Sequence, residues 1–353
     1  MDYEFVISDF VFGKAKRYLK KLQAGGAAGG NLAGKLREGK TDLSLLEIEM
    51  FLEILVNTKY PQIFAESQVE GDGRDWNLEE LSILGDIGVA VPVMVFDDGL
   101  HANPRVHQKP FKATLLFTPG ALLQSLGNNK PADWEDVIRD GQIDFEAYYG
   151  LYERRLLPLF RYANKQAEQS GGEAFITIPG IGCGQFAGPF RGSLGSKLRD
   201  VFIGLLEGYG KEFKNIKAIY YDPYKECANE RLKINGIDFL VRPLMDGNQE
   251  KPQLCRPENY EEEGDNFKEC EMFSFVAWDH VSWPGNDFYP GSRATDDGVK
   301  AAATDSMRTI TKIAGSYNKI LNQYNPPLPY KTWNDVVIKR NISLKLRNNL
   351  VIL

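Results

Sequence analysis

The strongest constraint on the fold is an uninterrupted series of strand, glycine-rich loop, helix and second strand. The strands are the apolar runs Ala174–Pro179 and Ile216–Asp222, and the helix is predicted over Leu194–Tyr209, with apolar residues along one face. Such a unit normally builds a parallel sheet through a right-handed crossover. The sequence therefore predicts an α/β protein with a largely parallel sheet.

Further elements follow from apolar patterning. Continuous apolar runs predict strands, and periodic spacing predicts helices. The segment 16–40 contains Gly29, Gly34 and Lys35 at the spacing of a phosphate-binding loop, but Leu36 stands where Ser or Thr would bind magnesium. We interpret this segment as a flexible connection. The strands are expected at 89–96, 112–118, 237–241 and 272–278, and the helices at 41–55, 145–168 and 298–322.

The expected organisation has three parts. Residues 1–75 are predicted to form an N-terminal helical extension, and residues 76–325 the core. A polar, mobile insertion is expected near 245–270. Residues 326–353 form a C-terminal segment that ends in apolar residues, which suits a packed last strand.

Composition narrows the class of partner. The 353 residues carry a net charge of −6, which disfavours a general nucleic-acid binder. The four cysteines are too few for a disulfide framework and show no CxxC spacing, so we expect reduced thiols and a cytoplasmic setting. No run of 18 apolar residues predicts a membrane span. The N-terminus lacks a secretory signal pattern, and we expect a monomer.

The glycine-rich loop is the first candidate binding feature. Gly180, Gly182, Gly184 and Gly188 lie in nine residues between a strand and a helix, where open α/β sheets bind ligands. Glycine admits positive φ and close approach of a ligand, and free N–H groups can hold a phosphate. A tight turn that needs glycine for its own geometry is the alternative. The spacing is not that of a dinucleotide-binding loop.

The second candidate is the segment 277–305, which follows an apolar strand. It combines a high density of aspartate with glycine, proline and aromatic residues. Capping of the next helix by Thr295 or Asp296 explains part of this density. The remaining carboxylates could stabilise a sugar cation, activate water or bind ribose hydroxyls. Magnesium ligation is the rival interpretation.

A resemblance now adds to these observations. The run Gly182-Cys183-Gly184-Gln185-Phe186-Ala187-Gly188 resembles the diphosphate loop of macrodomains, in the GCGxFxG form of poly(ADP-ribose) glycohydrolases. It implies a three-layer α/β/α fold with a mixed, largely parallel sheet, and it implies that Phe186 lies near the distal ribose. Cys183 could alternatively be a nucleophile paired with His280, although packing between glycines suits it better. The resemblance implies that the diphosphate lies against Gly180, Ile181, Gly182, Cys183, Gly184, Gln185, Phe186 and Gly188.

The acidic segment is similar to the arginine-specific macrodomain family typified by the Legionella effector MavL. By the D-x7-D-x9-D spacing of that family, Asp279, Asp287 and Asp297 are the implied catalytic acids, and Asn286 would line the ribose. Asp86 resembles the aspartate of a Gly-Asp-Ile element that binds the adenine amine. The implied activity is removal of ADP-ribose from arginine, with ubiquitin as the modified protein. As a bacterial effector, the protein would be secreted into the host cytosol.

Three alternatives stay open at this point. The chain could be a non-catalytic ADP-ribose reader, a polymer-cleaving glycohydrolase or a metal-dependent phosphoesterase. The acidic pair and glycine signature that precede the GCG loop in polymer-cleaving enzymes are missing, which disfavours the second. With ADP-ribose as ligand and product, the expected enzyme uses no metal and no cofactor.

Overall fold

The computed structural model describes residues 2–63, 65, 69, 71–125, 130–285 and 293–353. Within these residues, helices surround a nine-stranded sheet that is accompanied by two small hairpins. The strands are β1 (Glu4–Ile7), β2 (Gly88–Asp97), β3 (Val106–Pro119), β4 (Ile138–Arg139), β5 (Gln142–Ile143), β6 (Ala174–Pro179), β7 (Ile216–Asp222), β8 (Glu230–Ile234), β9 (Ile237–Val241), β10 (Glu271–Trp278), β11 (Ser316–Asn318), β12 (Gln323–Asn325) and β13 (Leu350–Ile352).

The helices differ widely in length and lie on both faces of the sheet. Short 3₁₀ turns interrupt the loops at Leu43–Leu45, Gln185–Phe190, Gly210–Glu212 and Pro257–Tyr260. The α-helices are α1 (Asp9–Gln23), α2 (Gly30–Glu38), α3 (Ile48–Val56), α4 (Leu78–Gly85), α5 (Trp134–Val137), α6 (Phe145–Ser170), α7 (Leu194–Tyr209), α8 (Asp296–Ala303), α9 (Ser306–Thr311) and α10 (Trp333–Lys339).

The sheet is mixed but mainly parallel at its centre. Its strands lie in the order β13-β1-β2-β3-β10-β6-β7-β9-β8. From β3 to β9, every neighbouring pair is parallel. Strand β2 runs antiparallel to β1 and β3, and β8 runs antiparallel to β9 at the edge. The crossover from β6 through α7 to β7 is the unit predicted from the sequence.

Side chains that alternate between the two faces of the strands form two hydrophobic cores, one on each side of the sheet. On β10, Phe273 and Phe275 pack with α6 and α7, whereas Met272 and Val276 face the opposite layer of helices. Because successive side chains of a strand point to opposite faces, a central strand that is apolar throughout needs cover on both sides. The three-layer α/β/α architecture is therefore confirmed.

The N-terminal region differs from the expectation of a helical extension with a flexible connection. Strand β1 joins the sheet between β2 and β13, and the supposed connection contains α1 and α2. Gly29 and Gly30 serve close packing, since a Cβ on Gly30 would stand 1.9 Å from the carbonyl oxygen of Arg74. The Gly29 N–H donates to Glu80. The resemblance of this segment to a phosphate loop is accidental.

Three further features differ from what the sequence predicted. The single helix expected over 298–322 is two short helices followed by the β11–β12 hairpin, because Thr304 and Lys312 leave helical geometry. The helix expected at 41–55 begins only at Ile48. The insertion near 245–270 is polar, yet it packs on the sheet through the buried side chains of Leu254, Cys255, Tyr260 and Phe267.

A buried charge network joins α6 to the site end of the sheet. The Arg155 guanidinium donates to Asp86 at 3.1 Å and to Asp133 at 2.7 Å, and all three side chains are almost fully buried. It also donates to the carbonyl oxygen of Gly120, just beyond β3. His280 contacts Asp133 at 3.2 Å. One cation thus holds together two carboxylates and the loop after β3.

Replacing this cation tests its structural role. Arg155→Ala should lower the free energy of unfolding by about 3–5 kcal/mol, because two carboxylates would remain buried without their main partner. Urea denaturation measures the change. The control is Arg161→Ala, whose half-exposed pair with Glu212 should contribute less than about 1 kcal/mol. Equal effects of the two substitutions would contradict the assignment.

Candidate functional site

The candidate site lies at the carboxyl ends of three adjacent parallel strands. Strand β6 leads into the glycine loop, its neighbour β10 leads into the acidic segment, and β7 ends on the other side of β6. Side by side, these ends open into one cavity of about 850 Å³. Its wall includes Gly180, Gly182, Cys183, Gly184, Gln185, Phe186, Arg191, Asp222, Tyr224, Gln253, Trp278, Asp279, Thr295, Asp296 and Asp297.

The glycines of the loop have two different functions. Gly182 and Gly188 have positive φ, and a Cβ on either would collide with Tyr152 or with the Leu123 carbonyl. A Cβ on Gly184 would meet nothing within 4 Å. The first two positions therefore need glycine for the loop's own geometry, whereas Gly184 leaves open space beside the cavity.

Hydrogen bonds fix the loop to the segment after β3. The Tyr152 hydroxyl donates to the carbonyl oxygen of Ile181 at 2.7 Å and accepts from the N–H of Ala121. The Leu123 N–H donates to the carbonyl oxygen of Phe186. Ile181 and Gly188, both predicted as ligand contacts, are part of this framework and do not line the cavity.

The loop retains unused hydrogen-bond donors. Within the described part of the chain, the N–H groups of Gly182, Gly184, Gln185 and Phe186 donate to no protein acceptor. Consecutive free N–H groups make a concave site for an anion. Arg191 lines the same cavity and brings an exposed guanidinium. This geometry suits a phosphate or diphosphate.

Cys183 lies in this loop but has the properties of a packed thiol. Its side chain is buried, and burial raises the pKa of the thiol well above its usual value. His280, the alternative partner, contacts Asp133 and Arg155 instead. A buried neutral thiol is a poor nucleophile.

In the acidic segment, Asp279 has an organising role. Its carboxylate accepts hydrogen bonds from the N–H groups of Val281 and Ser282 at 2.7 and 2.6 Å, and from the Ser282 hydroxyl. These contacts hold the turn after β10, and Asp279 still lines the cavity. Its carboxylate is therefore rigidly positioned.

Asp297 is a cavity carboxyl with a strongly raised pKa. It lies in the first turn of α8, where Thr295 caps the helix as expected. Burial, with a further contribution from the charge of Asp279, raises the pKa of Asp297 to about 7. Asp296 instead ties α8 to β10, because it accepts from the Ala277 N–H and pairs with the buried Lys300. Asp297 can thus gain or lose a proton near neutrality.

Three further predicted residues are not among the described residues of the cavity wall. Asp287 and Asn286 lie outside the described residues. Asp86 does not line the cavity, and its carboxylate is engaged by Lys14, Arg154 and Arg155. Asp86 precedes β2, which is two strands away from β10 in the sheet. The structure therefore does not bring Asp86 to the cavity wall, and its role as an adenine ligand stays a prediction.

Sequence reasoning missed several residues at the site. Asp222 and Gln253 line the cavity from the end of β7 and from the polar insertion. Lys59 lies under the Trp278 ring at 4.1 Å, and burial lowers its pKa to about 7, against the effect of Asp279. The position of Asp222 at the end of a predicted strand was a usable signal. Nothing in the sequence brings Lys59 or Gln253 to this place.

No set of three or more His, Cys, Asp or Glu side chains in the described ranges is arranged to hold a metal ion. Among the helices that the structure describes, none is long and apolar enough to cross a membrane.

The pKa of Asp297 makes stability depend on pH. In the unfolded chain this carboxyl ionises near pH 4, whereas in the folded protein it stays protonated up to about pH 7. Its favourable contribution is therefore complete below pH 4 and is lost as pH rises to 7. Asp297→Asn should become progressively more stable than the wild type over this window, measured by urea denaturation. A stability difference that is equal at pH 4 and pH 8 would refute the shift.

A comparison with known proteins identifies the family to which the chain belongs. A family model described as "Macrodomain effector MavL" matches residues 3–330. No curated protein matched the sequence. The matched region includes the glycine loop, the acidic segment and all strands of the sheet except β13. The macrodomain-like fold is thereby shown, and ADP-ribose is the ligand chemistry associated with it. The chain belongs to the MavL family of macrodomain effectors.

Proposed function

We propose that the protein is an ADP-ribosylhydrolase that cleaves the N-glycosidic bond between ADP-ribose and an arginine side chain of a modified protein. The observation that carries the proposal is the single cavity in which Asp279 and Asp297 stand beside a loop with unused N–H donors. The loop would bind the diphosphate, and the two carboxylates would act on the distal ribose.

The chemistry requires a carboxylate that can accept a proton near neutrality. In the reaction, water adds its hydroxyl to the anomeric carbon while the electron pair of the C–N bond leaves with the guanidine nitrogen. Asp297 would take the proton of the water and return it to the departing guanidine. A group whose pKa is about 7 suits both transfers. Asp279, held by three hydrogen bonds, would stabilise the positive charge that develops on the ribose.

The protein substrate and the setting rest on the resemblance to the arginine-specific family. That resemblance suggests ubiquitin as the modified protein and the host cytosol as the place of action, and we propose both together with a monomeric enzyme. It also assigns Asp287 as a third acid.

Activity measurements test the catalytic role. Asp297→Asn should lower the release of ADP-ribose from arginine-linked substrate at least about 100-fold, because general acid–base catalysis contributes that much or more. Asp287→Ala should have a similar effect. Asp200→Asn is the control, since this exposed carboxylate lies on α7 outside the cavity and should leave the rate unchanged.

Measurements of ADP-ribose binding, compared with its release from modified protein, distinguish the proposed enzyme from a reader that only binds ADP-ribose. Calorimetry should show that Asp297→Asn still binds ADP-ribose. Full hydrolytic activity of that variant would disprove its assigned role. If the wild type binds ADP-ribose but releases it from neither arginine-linked nor glutamate-linked protein, the chain is a reader and the proposed function is wrong.

A further inference from the structure

The turn that follows β10 is held by a lysine from a distant part of the chain. Lys59 lies just after α3 and is only 3% exposed. Its ammonium group donates to the carbonyl oxygen of His280 and lies 4.1 Å from the centroid of the Trp278 ring. Burying an ammonium group is costly unless its charge and its hydrogen bonds are matched. This cost indicates a specific role for Lys59 at the turn.

The main chain beside Lys59 is tied to the same turn. The Tyr60 N–H donates to the carbonyl oxygen of Val281 at 2.8 Å, and the Trp283 N–H donates to the carbonyl oxygen of Tyr60 at 3.0 Å. These two bonds form a parallel bridge between Tyr60 and Ser282. The segment after α3 thus runs beside the turn, and the Lys59 side chain approaches it from a fixed position.

A path of contacts leads from Lys59 to the carboxylate of Asp279. The Trp278 ring lies against the ammonium group, and its indole Nε1–H donates to the Ser282 hydroxyl at 3.0 Å. That hydroxyl in turn donates to the Asp279 carboxylate. Because each group orients the next, a shift of the ring would change the direction in which the carboxylate is held.

Charge connects the two ends of this path. Burial lowers the pKa of Lys59 to about 7, and the negative charge of Asp279 opposes this shift. The charged forms of the two side chains therefore favour each other. Burial, and after it the charge of Asp279, raises the pKa of Asp297. The buried cation thus supports a carboxylate whose charge disfavours the ionisation of its neighbour.

We propose that Lys59 is a positioning residue, which clamps the turn after β10 so that the Asp279 carboxylate faces the cavity beside Asp297. Lys59 is not among the described residues that line the cavity, so it acts through Trp278 and Asp279, which are. The region predicted as an N-terminal extension, residues 1–75, would thereby contribute to the site. The consequence for catalysis rests on the proposed function.

Two substitutions separate the charge of this side chain from its size. Lys59→Met keeps a long apolar stem but removes the ammonium group, whereas Lys59→Arg keeps a cation. With Lys59→Met, the kcat for release of ADP-ribose from arginine-linked protein should fall about 10- to 100-fold, because a misplaced carboxylate slows the reaction. The KM, and the Kd for ADP-ribose from calorimetry, should change less than about threefold. Lys59→Arg should retain most of the rate.

Lys16→Met is the matched control. The Lys16 ammonium group also lies over an aromatic ring, 4.3 Å from the centroid of Phe12, but at an exposed position of α1 outside the cavity. This substitution should change neither kcat nor KM. Thermal denaturation establishes that each variant is folded.

A second variant tests the same path if Lys59→Met does not fold. Trp278→Phe keeps an aromatic ring over Lys59 but removes the indole donor to Ser282. Its kcat should fall while its KM stays close to that of the wild type. An unchanged kcat would overturn the inference.

A crystal structure of Lys59→Met adds a readout that does not depend on hydrolysis. We expect the Trp278 ring and the Asp279 carboxylate to leave their wild-type positions. A wild-type kcat in this variant, equal losses in the Met and Arg variants, or an unchanged turn would overturn the inference and leave the proposed function intact. If the wild type releases ADP-ribose from neither arginine-linked nor glutamate-linked protein, the proposed function fails, and the crystal structure alone decides the role of Lys59.

Discussion

The parallel pairing of β6 with β10 is the constraint on which the site depends. Phe175 pairs with Met272 and Thr177 with Ser274, so the two strands end at the same edge of the sheet. The strands are nearly a hundred residues apart in sequence, yet their loops become neighbours across one strand spacing. The helices on both faces stabilise this pairing, and the cavity exists because the two loops leave space between them.

In the site, rigidly held groups lie beside one carboxyl whose ionised form is destabilised by burial. Tyr152 fixes the glycine loop and Asp279 fixes the turn after β10, so the donors and one carboxylate are positioned before any ligand arrives. Asp297 is held where burial disfavours its charge. A carboxyl placed in this way reduces the stability of the protein above neutrality, and the same property makes it suitable for proton transfer.

Local patterns in the sequence predicted much of the fold and part of the site. The strand, helix and strand around the glycine loop were found with their observed bounds because apolar periodicity is a local property. The segment after residue 298 was predicted as one helix because periodicity alone does not reveal the break at Thr304. The match to a Gly-Asp-Ile element did not reveal that Asp86 lies outside the cavity wall, since a short motif carries no information about strand order. Gln253 was missed because tertiary hydrogen bonds bring it to the cavity: its side chain donates to Asp222, and its main-chain carbonyl oxygen accepts from Thr177 and Ser274.

We propose that the order β10, β6, β7 fixes the direction in which ADP-ribose lies. A crystal structure of the Asp297→Asn variant with an ADP-ribosylated arginine peptide tests it most directly. We expect the diphosphate on the N–H groups of Gly182 and Gly184, with the anomeric carbon within reach of residues 279 and 297 and the adenosine half toward the end of β7. A ligand bound in the reverse direction, with its base beside the acidic segment, would contradict it.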